Sequence, residues 1–351
     1  MATNKNITMK QFNGVDYDML YPKTKVEQVE GAYSQQQILS DSTKGLYGLG
    51  NDAVPDDVFQ ILSTVRAEVH VMADVGTTVT MSRSGKTLTA TVGPDGYAVL
   101  YPTELGEWTI VYIFDGSQKT ITYTLEVIGT VYVYPFVVGA TLNDTTWENI
   151  NVISKFGMAK QFWSVGDTKT VSVNGVNYEF QIIGFNHDDK TAGGKAGITF
   201  QMVDCLSTAY NMNSHNNNQG GWKNSAMRSR MSTFLSQLPS DLQSVIKAVN
   251  KRTSVGNNTS TIETVSDKLF LLSEVEIFGS TTYSFDGEGS QYEFYKAGNT
   301  KVKKVDGSAS IWWERSPYNG STNFFCDVGN TGTAHYYNAS SNYGVSFGFC
   351  V

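Results

Sequence analysis

Cysteine, histidine and formal charge are all scarce in this chain of 351 residues, and each scarcity excludes something. Three cysteines, Cys205, Cys326 and Cys350, are too few and too scattered for a disulfide framework or a zinc cluster. Their expected state is that of most free cysteines, small side chains buried in a core. Cys326 and Cys350 would meet only on neighbouring strands, and a reducing cytoplasm would disfavour a bond between them. Four histidines, His70, His187, His215 and His335, show no paired metal-ligand spacing. No G-x-S-x-G, Walker loop or H-E-x-x-H occurs. No apolar run reaches membrane-spanning length, and Met1-Ala2-Thr3-Asn4-Lys5-Asn6 lacks the apolar core of a signal peptide. With 26 basic and 33 acidic residues the net charge is −7, which argues against a nucleic-acid binder and against docking on anionic lipid. A cytoplasmically made chain with no nucleic-acid partner and no membrane insertion is expected.

What is present is apolar and turn-rich. Hydrophobic residues make up 40% and aromatics 12%, enough to offset chain entropy, while 33 glycines and 19 tyrosines lean towards a β-rich, multidomain protein. Residues 1–64 have mixed polarity and no sustained period, and read as an extended segment that orders on a partner or on sister chains. Residues 65–135 alternate with period two: Thr78-Val79-Thr80-Met81-Ser82, Thr87 to Val92 and Thr120 to Leu125. Turn signals at Ser84-Gly85, Gly93-Pro94-Asp95-Gly96 and Asp115-Gly116 separate them, and Trp108 is placed to fill a core. Short strands so spaced predict a small β-sandwich acting as a spacer.

Residues 136–351 read as mixed α+β. Thr170 to Val173, Asn174-Gly175 and Val176 to Ile183 predict a hairpin. Met227, Met231, Phe234, Leu235 and Leu238 fall at helical spacing until Pro239, and Ser240-Asp241-Leu242-Gln243 resembles a capping-box start for a second helix. Leu269 to Leu272 predicts a buried strand. Glu274-Val275-Glu276 alternates as a strand would, giving two carboxylates on one exposed face. His187-Asp188-Asp189 offers oxygens to a hard cation, but polar turn residues are the commoner use; no metal and no cofactor is expected. Asn211 to Gln219 reads as a polar loop.

The last segment stands apart. After Arg315 the sequence contains no Lys, Arg or Glu, and Asp327 is its only formal charge. Tyrosine offers a large amphipathic contact with few rotors to freeze, while Ser, Asn and Gly adapt their hydrogen bonding, as in antibody paratopes. Phe324-Phe325-Cys326, Val328 and Val345 to Val351 are expected as strand anchors between the polar runs, with Val345, Phe347, Phe349 and Val351 on one face.

Trp312-Trp313-Glu314-Arg315-Ser316-Pro317 and Gly344 to Val351 resemble the fixed ends of the variable segment in proteins diversified by retroelements, a family with a C-type-lectin-like fold. In that family adenines of a template repeat are mutagenised, so Asn codons become Tyr, His, Asp, Ser, Thr, Gly and others. The resemblance implies diversified ligand-binding positions at Tyr318, Asn319, Ser321, Asn323, Asp327, Asn330, Thr331, Thr333, His335, Tyr336, Tyr337, Asn338, Ser341, Asn342 and Tyr343. It implies a scaffold held by Trp312, Trp313, Phe347 and Phe349. Trp147 to Ile150, Gly166-Asp167, Ile183 to Asp188, Gly221 to Ser225 and Arg228 resemble a domain family common in prophages, which makes Asn186-His187-Asp188 a fold signature. Asn6 to Gly14 with Leu20 to Thr24 is similar to the N-termini of phage tail fibres.

Together these resemblances imply a virion-tail protein without enzymatic activity. Residues 1–64 would join other tail proteins, 65–135 would form an Ig-like β-sandwich, and the C-type-lectin-like domain at 136–351 would bind a host cell-surface protein or glycan. Analogy with tail fibres suggests a homotrimer, although no coiled-coil heptads accompany it. Two alternatives stand beside this reading. One is a structural baseplate or decoration protein; the other is an enzyme like the formylglycine-generating enzymes, for which Cys326 and Cys350 are the candidate thiols.

Overall fold

Ser84-Gly85, Asp115-Gly116 and Asn174-Gly175 each take two consecutive positive φ angles in the computed structural model, as tight hairpin turns require. The structure describes residues 67–126 and 128–351; the expected attachment segment, 1–64, lies outside them. The chain divides into two compact units, Met1–Pro135 and Phe136–Val351, and both are rich in strand.

In the first unit the strands are β1 (Glu68–Met72), β2 (Thr78–Arg83), β3 (Lys86–Thr91), β4 (Tyr97–Leu100), β5 (Gly106–Phe114), β6 (Ser117–Leu125) and β7 (Thr130–Val133). They form two sheets, ordered β4-β1-β7 and β3-β2-β5-β6, with β1 and β7 parallel. Alternation assigns the faces: Val69, Val71, Ala98, Leu100 and Val133 are buried on one sheet, and Val79, Met81, Trp108, Ile110, Tyr112 and Phe114 on the other. The Trp108 indole donates to the Glu104 carbonyl at 3.0 Å, so its one polar atom is satisfied inside the core.

The second unit begins with α1 (Trp147–Lys155) and α2 (Ala159–Phe162), followed by β8 (Thr168–Val173), β9 (Val176–Phe185) and β10 (Ile198–Met202). Next come α3 (Ala226–Ser236), α4 (Ser240–Val245), β11 (Val249–Ser254), β12 (Ile262–Asp267), β13 (Leu269–Phe270), α5 (Glu274–Phe278) and α6 (Glu293–Lys296). The chain ends with β14 (Lys303–Val305), β15 (Ser308–Ser310), β16 (Trp312–Pro317), β17 (Phe324–Val328), β18 (Ala334–Asn338) and β19 (Gly348–Cys350). A five-stranded sheet, β13-β19-β10-β9-β8, carries the core, and β16-β17-β18 form a separate sheet. Phe349 packs on Phe180 and Phe200, both at 5.3 Å between ring centres, and on Trp147 at 5.8 Å; Phe347 stacks on Phe234 at 5.8 Å.

Three expectations need correction, on the capping box, on Glu274-Val275-Glu276 and on the two C-terminal cysteines. The capping box is not at Ser240: Pro239 precedes α4 and gives it no side-chain cap, whereas Ser273 and Glu276 cap α5 reciprocally. Glu274-Val275-Glu276 is therefore helical, and both carboxylates are buried. Residues Gly344 to Val351, expected as strand anchors, are buried throughout, and their strand β19 lies between β13 and β10. Cys326 and Cys350 belong to different sheets and are both free.

Below these strands lies a buried ionic network. Lys251 Nζ donates to Asp188 at 2.8 Å and to the Tyr292 hydroxyl at 2.9 Å, and stands 2.6 Å from Glu276. Arg315 meets both Glu276 oxygens and donates to the carbonyls of Leu271 and Glu288 at 3.0 and 2.6 Å. Burial alone would raise the Asp188 carboxyl, but Lys251 and the Thr199 hydroxyl hold it well below the usual range. Asp188 thus serves the core, and His187 stacks on Tyr292 at 4.0 Å. Among the described residues no group of three or more His, Cys, Asp or Glu is placed to hold a metal.

Candidate ligand face

β16 is the inner edge of the sheet it shares with β17 and β18, and all six of its residues are buried. The Trp312 indole donates to the Lys301 carbonyl at 2.9 Å and the Trp313 indole to the Tyr210 carbonyl at 2.8 Å. Gly344 donates its amide to the Ile311 carbonyl at 2.9 Å and accepts from the Trp313 amide at 3.0 Å, tying the two ends of the segment together. Trp312, Trp313, Phe347 and Phe349 are all fully buried.

Between these ends the polar side chains come to the surface. Tyr318 and Tyr336 stack almost parallel, 4.0 Å between centres and 4° between planes, and Tyr283 meets both edge-on at 6.0 and 4.9 Å. His335 links this cluster to a second one, its ring stacked 5.6 Å from that of Tyr336. There His335 lies 5.0 Å from Tyr337, Tyr337 4.7 Å from Tyr343, and Tyr343 5.4 Å from Trp313. Asn323, Asn330, Thr331, Thr333, His335 and Asn342 are exposed. Tyr318, Asn319, Ser321, Tyr336, Tyr337, Asn338, Ser341 and Tyr343 are half-buried. Asn319 is clasped by its neighbours: its amide donates to the Tyr283 carbonyl at 2.7 Å and its side chain to the Ser284 carbonyl at 2.9 Å.

Asp327 departs from the expected pattern. It is fully buried and not outward-facing, because β17 is the central strand and both of its faces are covered. Neither carboxylate oxygen has a hydrogen-bond partner; His335, its cross-strand neighbour, stands 3.4 Å away without completing one. Desolvation pushes the carboxyl up to about 8. Glu314 is also fully buried with both oxygens unpartnered. Burial and the nearby Glu274, Asp327 and Glu288 carboxyls raise it well above the usual range. Both shifts favour the protonated, uncharged form.

Three contributors, Tyr283, Asn216 and Asn218, come from outside the segment. Tyr283 precedes it by some thirty residues, and nothing in its local sequence marks it. The Asn216 side chain donates to the Asn338 side chain at 2.9 Å, and Asn218 donates to the carbonyls of Ser321 and Phe324 at 2.9 and 2.8 Å. The asparagine run 216–218, read from sequence as a plain polar loop, supports the face from one side.

Residues 196–351 match the model of a family described as a domain of unknown function, DUF6273. The match spans β10 to β19 and so takes in the whole face and Lys251, Glu276, Tyr292 and Arg315 of the ionic network, but not Asp188. No curated protein and no solved structure matches the chain.

Proposed function

We propose that this chain is a non-enzymatic binding protein of a phage or prophage tail, with a ligand face on β17, β18 and their loops. In this reading residues 1–64 attach to other tail proteins, residues 65–135 are an Ig-like spacer, and residues 136–351 are a C-type-lectin-like domain varied by a retroelement. One observation carries it: residues 312–351 divide into fully buried ends and a middle in which Tyr, Asn, Ser and Thr reach the surface around a buried stretch at 325–328. A rigid frame bearing adaptable polar and aromatic side chains is the arrangement a tunable binding surface needs.

The enzyme alternative requires an accessible, electropositive thiol. Burial and the surrounding carboxyls raise the Cys326 thiol, and burial with Asp188 raises that of Cys350, so both are fully protonated at neutral pH. The decisive experiment is to sequence the 3′ end of the gene across sister copies. Trp312 to Pro317 and Gly344 to Val351 should stay constant while Tyr318, Tyr336, Tyr337 and Asn338 vary, beside a template repeat that differs at adenines. Uniform variation along the whole segment would refute the proposal.

A further inference from the structure

We infer that the ligand of this face is an uncharged, hydroxyl-rich polymer, a neutral polysaccharide. This rests on the binding reading above and narrows it to one chemical class.

Charge is the first ground. From Ser316 to Val351 the only formally charged residue is Asp327, and it is fully buried. The flanking loop, Asn211 to Gly221, contains no Asp, Glu, Lys or Arg. At the rim, Lys301 lies against Gly332 through its Cβ while its ammonium sits 5.6 Å over the Phe278 ring. Half-buried Arg230 is engaged with the Asn211 carbonyl at 3.0 Å and the Tyr210 ring. A face this poor in charge gains little from an anionic polymer or a basic peptide, and gives up the desolvation of any ion placed against it.

The second ground is what the face lacks in apolar relief. Protein-binding patches centre on exposed aromatic or aliphatic anchors that fill a partner's pockets. The large hydrophobic side chains exposed among the described residues are Val75, Tyr101, Tyr132, Val137, Phe156 and Val176, none of them between 312 and 351. Phe325, Val328, Val345 and Phe347 are fully buried, and the tyrosines of the face are held half-buried against one another.

What remains accessible is amide, hydroxyl and ring. Asn323, Asn330, Thr331, Thr333 and Asn342 supply donors and acceptors, and Tyr318 with Tyr336 supplies packed ring surface. Amides and hydroxyls pair with vicinal hydroxyls in both directions, and the C–H faces of a sugar ring suit aromatic surface. Repeating units would let several copies of the chain engage one polymer, raising avidity without a tight single site.

The test uses the full chain on a printed array of neutral polysaccharides (glucan, galactan, mannan, rhamnan), anionic polymers (glycerol-phosphate teichoic acid, hyaluronan) and bacterial surface proteins. Binding to neutral polysaccharide is expected. It should change less than about twofold between 0.05 and 0.5 M salt, since no ion pair is screened. It should fall about tenfold or more in Tyr336→Ala, the loss of one aromatic contact. Thr333→Ala, at an exposed position, gives a second variant that leaves the core untouched. Binding confined to surface proteins or to anionic polymers, yet lost in these variants, overturns the ligand class and leaves the binding face standing. Binding that neither variant affects overturns the face itself.

Discussion

Replacing Asp327 by Asn should make the protein more stable at neutral and alkaline pH and remove much of its pH dependence. The carboxyl is fully buried, without a hydrogen-bond partner, and raised by desolvation from 3.8 to about 8. Because the folded-state pKa lies above the unfolded one, the folded chain holds this proton more tightly. The stabilising effect is complete below the unfolded pKa and is lost as pH rises towards 8. Each unit of difference is worth about 1.4 kcal/mol, so from pH 4 to pH 7 the loss is on the order of 4 kcal/mol. His335 in its cationic form, 3.4 Å away, would offset part of it. Asn has nearly the same shape and no proton to lose. Urea unfolding from pH 4 to 9 measures the difference through tryptophan emission, since five of the six tryptophans lie between Trp147 and Trp313. The two proteins should differ little at pH 4 and by several kcal/mol at pH 8. Parallel curves would show that Asp327 is not the buried neutral acid described here.

Other outcomes follow from the same structure. Arg315→Met should cost roughly 3–5 kcal/mol by leaving buried Glu276 with Lys251 alone, already shared with Asp188, to balance it, and adding Glu276→Gln should recover part of that in a double-mutant cycle. Tyr336→Ala with Tyr337→Ala should abolish binding to target cells while lowering the melting temperature by only a few degrees, both rings being half-buried. Native protein should react negligibly with a thiol reagent, because all three cysteines are buried and burial lifts Cys205 to about 12; rapid labelling of Cys326 or Cys350 would revive the enzyme alternative.

The hairpins were legible because their signals are local. Period-two alternation and an Asn-Gly or Asp-Gly pair specify strand, turn and strand within a dozen residues, and β5–β6 and β8–β9 form where those signals lie. The same locality misled at Glu274-Val275-Glu276, where alternation also fits a short helix whose acids are satisfied by Arg315, Lys251 and the Ser284 amide. Asp327 was misplaced for a related reason: strand alternation tells which positions share a face, but not whether another layer covers it. Tyr283 and Asn216 reach the face through tertiary folding alone, from loops with no periodicity to read. The Asp188–Lys251 pair joins residues 63 apart, a separation at which sequence gives no pairing rule.

The two buried ends of the segment have a consequence for how this surface can evolve. Side chains exposed on β18 and its loops, such as Thr333, His335 and Asn342, take almost no part in the core, so exchanging them leaves the folded fraction nearly constant. Affinity and solubility can then drift independently. A library randomised at such exposed positions should stay mostly soluble, whereas one that also opens Asp327 to bulky or cationic residues should shed a large share of its members before any of them meets a ligand.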